Sequence, residues 1–160
     1  MTPKKILFVC LGNICRSPAA EGVMRAITEE TGADSVITVD SAGTGRYHIG
    51  ELPDRRMRIA ARKRGIELTH ICRQVETADF DRFDLIVAMD ESNYRNLREM
   101  SPSAEGDRKI VRMSEYFSPA NRRFHSHVPD PYYEGAEGFE LVLDLLQDAC
   151  RNLLISLGND

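Results

Sequence analysis

The 160-residue sequence predicts an α/β fold: a doubly wound parallel sheet of four strands, in the order 2-1-3-4, with helices on both faces. Three observations carry that expectation. Short apolar runs alternate with stretches of helical periodicity, the pattern of a parallel sheet covered on both sides. The first run breaks off abruptly at Gly12-Asn13, and a helix pattern opens directly after it. The length suits one domain spanning residues 1–160, and an apolar fraction of 42% is enough to build its core.

The first strand covers Lys5 to Cys10. Ser17 is placed to cap the helix that follows, with Pro18 at its first position. Glu21 lies near the helix start, where a negative charge suits the dipole. Ala19, Val23, Ala26 and Ile27 recur at helical spacing, and Thr31-Gly32 stop the helix. A second strand is expected at about Val36 to Asp40, followed by a long glycine-rich loop from Ser41 to Pro53. Asp54 to Arg64 read as a short basic helix ended by Gly65. The third strand, Leu85 to Met89, runs into Asp90, and either Asp90 or Ser92 caps the next helix through Asn96 to Met100. A fourth strand is expected at Ile110 to Met113. Phe117 to Gly138 read mostly as loop. The last helix begins near Ala136 to Gly138 and buries Phe139, Val142, Leu143, Leu146, Ala149, Leu153 and Leu157. Four short strands in so small a chain fit a flavodoxin-like sheet, in which ligands bind beyond the carboxyl ends of the strands. The loop after the first strand is therefore the place to look for a site.

Composition narrows the function. The net charge is −4 with no basic run, which argues against nucleic acid as a partner. Arg55, Arg56, Arg58, Arg62, Lys63 and Arg64 read as the solvated side of a helix. No stretch approaches the roughly 20 apolar residues of a membrane span. The run behind Lys4 and Lys5 is too short for a signal-peptide core, so a cytoplasmic location is expected. The four cysteines, Cys10, Cys15, Cys72 and Cys150, do not form a disulfide framework or a zinc-ligand pattern.

Between the first strand and the first helix stands Cys10-Leu11-Gly12-Asn13-Ile14-Cys15-Arg16-Ser17, a C-x5-R-S skeleton. A cysteine at a helix N-terminus sits in positive potential, which favours the thiolate. Gly12 and Asn13 tolerate left-handed backbone angles, so successive N–H groups can turn inward as an anion cradle. Arg16 offers a planar fork to two phosphate oxygens. Ser17 can donate a hydrogen bond to the sulfur. Taken alone, Cys10 would be a buried strand-end cysteine and Arg16 a surface residue. Their spacing and context together point to nucleophilic attack on phosphorus.

The segment VCLGNICRSP (Val9 to Pro18) resembles the phosphate loop of the low-molecular-weight protein tyrosine phosphatases. The resemblance extends through VDSAGTGRYHIG (Val39 to Gly50), FDLIVAMDESN (Phe83 to Asn93) and DPYY (Asp130 to Tyr133). It implies a flavodoxin-like fold, no metal or organic cofactor, and hydrolysis of phosphotyrosine through a cysteinyl-phosphate. Cys10 would be the nucleophile, residues Leu11 to Ser17 would bind phosphate, and Asp130 would be the general acid. Pro131 restricts Asp130 to extended backbone angles. Tyr47 and Tyr132 would wall the slot for the aryl ring. Asn13, Ser17, Ser41 and His70 would form a hydrogen-bond network beneath the loop. The resemblance also suggests a redox role for Cys15, joined to Cys10 on oxidation. A tyrosine-phosphorylated protein is the expected substrate, with a tyrosine kinase a further expected partner.

Three alternatives share parts of the pattern. An arsenate reductase of this loop type uses two more cysteines near the segment Arg82 to Asp90, which here contains none. A protein arginine phosphatase of the same fold carries threonine where this chain has Ile14. A non-catalytic flavodoxin-like binding module would not need Cys10 together with Asp130.

Overall fold

The computed structural model describes residues 2–158. Strand β1 (Lys4–Cys10) is followed by helix α1 (Arg16–Thr31), β2 (Ile37–Gly43), α2 (Arg55–Arg62), α3 (Asp79–Arg82), β3 (Leu85–Ala88) and α4 (Glu91–Met100). Helix α5 (Ala104–Lys109) leads into β4 (Ile110–Arg112), a 3-10 turn (Met113–Tyr116), α6 (Pro119–Phe124) and α7 (Ala136–Gly158). The sheet is parallel with order β2-β1-β3-β4, as the sequence predicts.

Alternation along β1 shows why both faces are covered. Ile6, Phe8 and Cys10 face one apolar cluster with α1, α2 and α7, while Leu7 and Val9 face another with Phe80, Leu97 and Ile110. The larger cluster draws its largest share from α7, whose Phe139, Val142, Leu143, Leu146, Ala149, Leu153 and Leu157 are all buried. Leu145, Cys150 and Leu154 join them, so the buried stripe is wider than the sequence reading assigned. Among the described residues no helix is long and apolar enough to cross a membrane.

Three local expectations are corrected. Strand β2 runs on to Gly43, because Ser41, Ala42 and Gly43 pair in register with Phe8, Val9 and Cys10. Ser17 does not cap α1: the helix starts at Arg16, Cys15 occupies the cap position without a side-chain bond, and Ser17 turns inward to the sulfur of Cys10. The stretch after Phe117 is mostly loop, as expected, and also holds α6, with Pro119 in its first turn. The basic helix is only partly a solvated face, since Arg64 is bonded to Glu140, Asp144 and Gln147 on or beside α7. Asp90, one of the two expected caps, does cap α4 by accepting from the N–H of Asn93.

Candidate active site

The sheet delivers Cys10 to the carboxyl end of its central strand, and residues 11–15 loop from there into α1. Asn13 adopts φ +57, the left-handed region that asparagine tolerates among non-glycine residues. Gly12 is not left-handed. A Cβ there would lie 3.1 Å from Cδ2 of His48, so the imidazole would have to shift by a few tenths of an ångström. Gly43, at the end of the neighbouring strand, is constrained more tightly: a Cβ would meet the carbonyl of Leu11 at 2.7 Å. The loop thus lies directly against the tip of β2.

The sulfur of Cys10 is 3.0 Å from Oγ of Ser17. That hydroxyl accepts from Nδ2 of Asn13 at 2.8 Å, which leaves its proton for the sulfur or for the more distant carbonyl of Ala42 at 3.4 Å. Nδ2 of Asn13 also donates to Oγ of Ser41 at 3.0 Å. Oδ1 of Asn13 accepts from the N–H of Arg73 at 2.9 Å, which identifies it as the oxygen and makes Nε2 of His70, 2.8 Å away, a donor. Asn13, Ser17, Ser41 and His70 are therefore joined through one buried amide.

Sequence reasoning missed the residues behind this network. Glu21 is buried, and its Oε1 accepts from Oγ of Ser41 at 2.8 Å and lies 3.1 Å from Nδ1 of His70. Its Oε2 accepts from Arg25 at 2.9 Å. Asp40 lies 3.5 Å from the same imidazole nitrogen and binds Arg73, which in turn grips the fully buried Asp79. Glu21, Asp40 and His70 hold their ligand atoms within 4.8 Å of one another, a spacing a cation could use. Arg25, Arg73, Ser41 and Asn13 already engage those groups, so the trio reads as charged support for the loop. The thiol of Cys72 donates to the carbonyl of Asn13 at 2.8 Å, adding a clamp from the other side.

Arg16 is almost fully buried at the mouth of the loop. Its Nη1 donates to Oδ2 of Asp90 at 2.6 Å and to the carbonyl of Val128 at 3.2 Å. Its Nη2 lies 3.7 Å from Oδ2 of Asp130. Burial alone would lower the guanidinium's pKa; Cys10, Asp90 and Asp130 together outweigh it and push it up. The geometry thus brings Cys10, Arg16 and Asp130 to one cleft, although they come from opposite ends of the chain. Asp130 is half exposed, and its Oδ1 accepts from the N–H of Tyr132 at 3.1 Å in an Asx-type turn.

The cleft has a volume of about 450 Å³, within the range of small-molecule sites. Ile14, Cys15, Tyr47, His48 and Tyr132 line it around the loop. Tyr132 packs edge-on against Tyr133 at 5.0 Å, and the guanidinium of Arg56 lies 5.3 Å from its ring centre. Tyr47 is the more exposed wall. His48, which the sequence reading passed over, is held by Glu51 at 2.8 Å. Burial, reinforced by Asp54, Cys10 and Asp130, drives the pKa of the Cys15 thiol far up, with Arg56 opposing weakly. Cys15 is therefore a protonated thiol at neutral pH.

Residues 5–160 match the family model described as low molecular weight phosphotyrosine protein phosphatase. A protein of Synechocystis sp. that bears this family's name is 50% identical over 156 residues, covering 98% of both chains. The crystal structure of a protein tyrosine phosphatase from Entamoeba histolytica superposes with a TM-score of 0.93 at 44% identity, over 98% of this chain and 97% of that one. A Drosophila arginine phosphatase superposes with a TM-score of 0.88 at 31% identity, over 96% of this chain and 97% of that one.

Proposed function

The chain belongs to the low molecular weight phosphotyrosine protein phosphatases, hydrolases of phosphoric monoesters, and we propose that Cys10, Arg16 and Asp130 carry its reaction. Phosphotyrosyl proteins are its substrate class. The sulfur of Cys10 attacks phosphorus in line with the aryl oxygen, an S–P bond forms, and the P–O bond to the ring breaks. Asp130 gives its proton to the departing phenolate. Water then attacks the cysteinyl-phosphate, Asp130 takes a proton from it, the S–P bond breaks, and inorganic phosphate leaves.

The carrying observation is the meeting of the Cys10 sulfur, the Arg16 fork and the Asp130 carboxyl in one cleft. Arg16 binds two equatorial oxygens, and the loop N–H groups bind the rest as charge develops. The hydroxyl of Ser17, 3.0 Å away, can donate its proton to the sulfur. Tyr47 and Tyr132 receive the ring, and Ile14 lines the floor with a side chain suited to an aryl group rather than a guanidinium.

Cys10→Ser and Asp130→Asn test the roles. Cys10→Ser should abolish turnover of p-nitrophenyl phosphate while still binding inorganic phosphate. Residual turnover in that variant at more than about one part in a thousand would remove Cys10 from the mechanism. Comparing phosphotyrosine with phosphoarginine peptides fixes the substrate, and a faster rate on phosphoarginine overturns the aryl assignment.

Four finer readings belong to the same proposal. Residues 1–160 act as one domain, and its place of action is the cytoplasm, consistent with four free thiols, all of them buried. A tyrosine kinase is among its partners. Peroxide oxidises the Cys10 thiolate to a sulfenic acid, and Cys15 displaces water from it to form a disulfide. Because Cys15 must first lose a tightly held proton, that second step is slow. Mass spectrometry of peroxide-treated protein should find a Cys10–Cys15 crosslink; its absence sinks the redox reading.

A further inference from the structure

Beside the aryl slot, sharing Ile14, His48 and Tyr132 with it, opens a second cleft of about 440 Å³. Its far wall is the loop around Leu52 and Pro53 and the first turn of α2. Neither arginine lining this wall, Arg55 or Arg58, is paired with a carboxylate. Both oxygens of Asp54 are taken by Arg56, at 3.1 Å and 2.9 Å to its guanidinium and 2.8 Å to its N–H. Glu51 is taken by His48 at 2.8 Å. Arg58 uses only Nε, donating to the carbonyl of Pro53 at 2.9 Å. The side chain of Arg55 is exposed and has no ion-pair or hydrogen-bond partner among the described residues. The guanidinium of Arg55 and both Nη groups of Arg58, three residues apart on one helical face, are therefore unpaired in a cleft where Asp54 is held by Arg56 and Glu51 has one oxygen on His48. The chain as a whole is acidic, at net charge −4, so this cleft runs against the overall balance.

We propose that this cleft receives an acidic side chain of the substrate protein, flanking the phosphotyrosine, so that Asp or Glu close to the target tyrosine selects substrates. The inference rests on the phosphatase reading of the neighbouring slot and adds the sequence context that the slot cannot supply. An extended peptide advances about 3.3–3.6 Å per residue, so an acidic residue within a few positions of the tyrosine spans from one cleft to the next. Arg55 and Arg58 then meet a carboxylate in a partly sheltered site. Their charges also raise the rate of encounter with an acidic segment and disfavour a basic one.

The test compares kcat/KM for phosphotyrosyl peptides that differ only in flanking residues, Glu, Gln or Lys, with p-nitrophenyl phosphate as the substrate that has no flank. The wild-type enzyme should prefer the Glu series over the Gln series by about tenfold, from roughly threefold per arginine. The preference should fall toward one at ~0.5 M salt, where screening acts within a few ångströms. In Arg55→Gln/Arg58→Gln the ratio should drop to near one, and in Arg55→Glu/Arg58→Glu it should invert in favour of the Lys series. A wild-type ratio of one, or a ratio that survives both double variants, overturns the proposal. Failure to hydrolyse p-nitrophenyl phosphate at all would instead overturn the phosphatase reading, so the two failures are distinguishable.

Discussion

Oδ2 of Asp90 sits 2.6 Å from Nη1 of Arg16, while Oδ1 of the same carboxylate accepts from the N–H of Asn93 and starts α4. One side chain therefore fixes both the arginine of the phosphate loop and the helix that follows β3. Asp90→Asn keeps an acceptor for the cap and removes the charge beside a buried guanidinium. It should lower kcat/KM for p-nitrophenyl phosphate by about 10–100-fold, through a misplaced fork. Asp90→Ala should lose about 1 kcal/mol more in urea unfolding than Asp90→Asn, the usual worth of a cap. Equal stabilities for the two variants would show that the cap is immaterial.

Asp130→Asn should slow the enzyme in proportion to how badly the leaving group needs a proton. With phenyl phosphate the loss in kcat should be about 10²–10⁴-fold, the usual range for a general acid. With p-nitrophenyl phosphate, whose phenolate leaves readily, it should be smaller. Equal losses on both substrates would assign Asp130 to positioning rather than proton transfer.

Asn13 combines a left-handed backbone with an amide bonded to Ser17, Ser41, His70 and Arg73. Asn13→Gly and Asn13→Ala both delete those bonds, but only alanine strains the backbone. Asn13→Ala should therefore be less stable than Asn13→Gly by about 1–2 kcal/mol in urea unfolding. Both should lose activity, because Ser17 is no longer oriented toward the sulfur.

Alkaline pH should loosen the loop through its cysteines. Burial, then the charges of Glu51 and Cys10, push the Cys72 thiol up to about 11. Burial drives those of Cys15 and Cys150 higher still. In the unfolded chain each thiol ionises near ~8.5, so above that pH the folded state holds protons the unfolded state has released. The sign is then fixed: this stability is complete below pH ~8.5 and declines as pH rises, with the share of Cys72 gone by about 11. Cys72→Ser retains a donor for the carbonyl of Asn13 and removes one titrating thiol. Its Tm should decline less steeply than the wild type between pH ~9 and ~11; parallel declines would exclude Cys72 as a contributor.

The segment from Lys5 to Pro18 was legible because everything in it is local: an apolar run, a turn, a cysteine and arginine at fixed spacing, and a helix start. The buried stripe of α7 followed from periodicity, and the sheet order from the flavodoxin-like fold that four short alternating strands suggested. The short helices α5 and α6 were not legible, since AEGDRK and PANRRF carry almost no apolar pattern. Their signals were slight: Ser103 at a cap and Pro119 in a first turn. Glu21 and Asp90 were read for their helix dipoles and caps alone. Their partners, His70 and Arg16, stand far off in the sequence, and no spacing rule links them. Ser17 was read both as a cap and as a donor to the sulfur: its hydroxyl satisfies the usual cap chemistry, but the structure keeps only the contact with Cys10.

The 3.7 Å approach of Asp130 to Arg16 means that the resting enzyme carries its own tethered anion over the cradle. A phosphate dianion must displace that tenant, so entry of substrate is an exchange between two negative groups rather than the filling of a vacant seat. Stray carboxylates from solution find the berth already held.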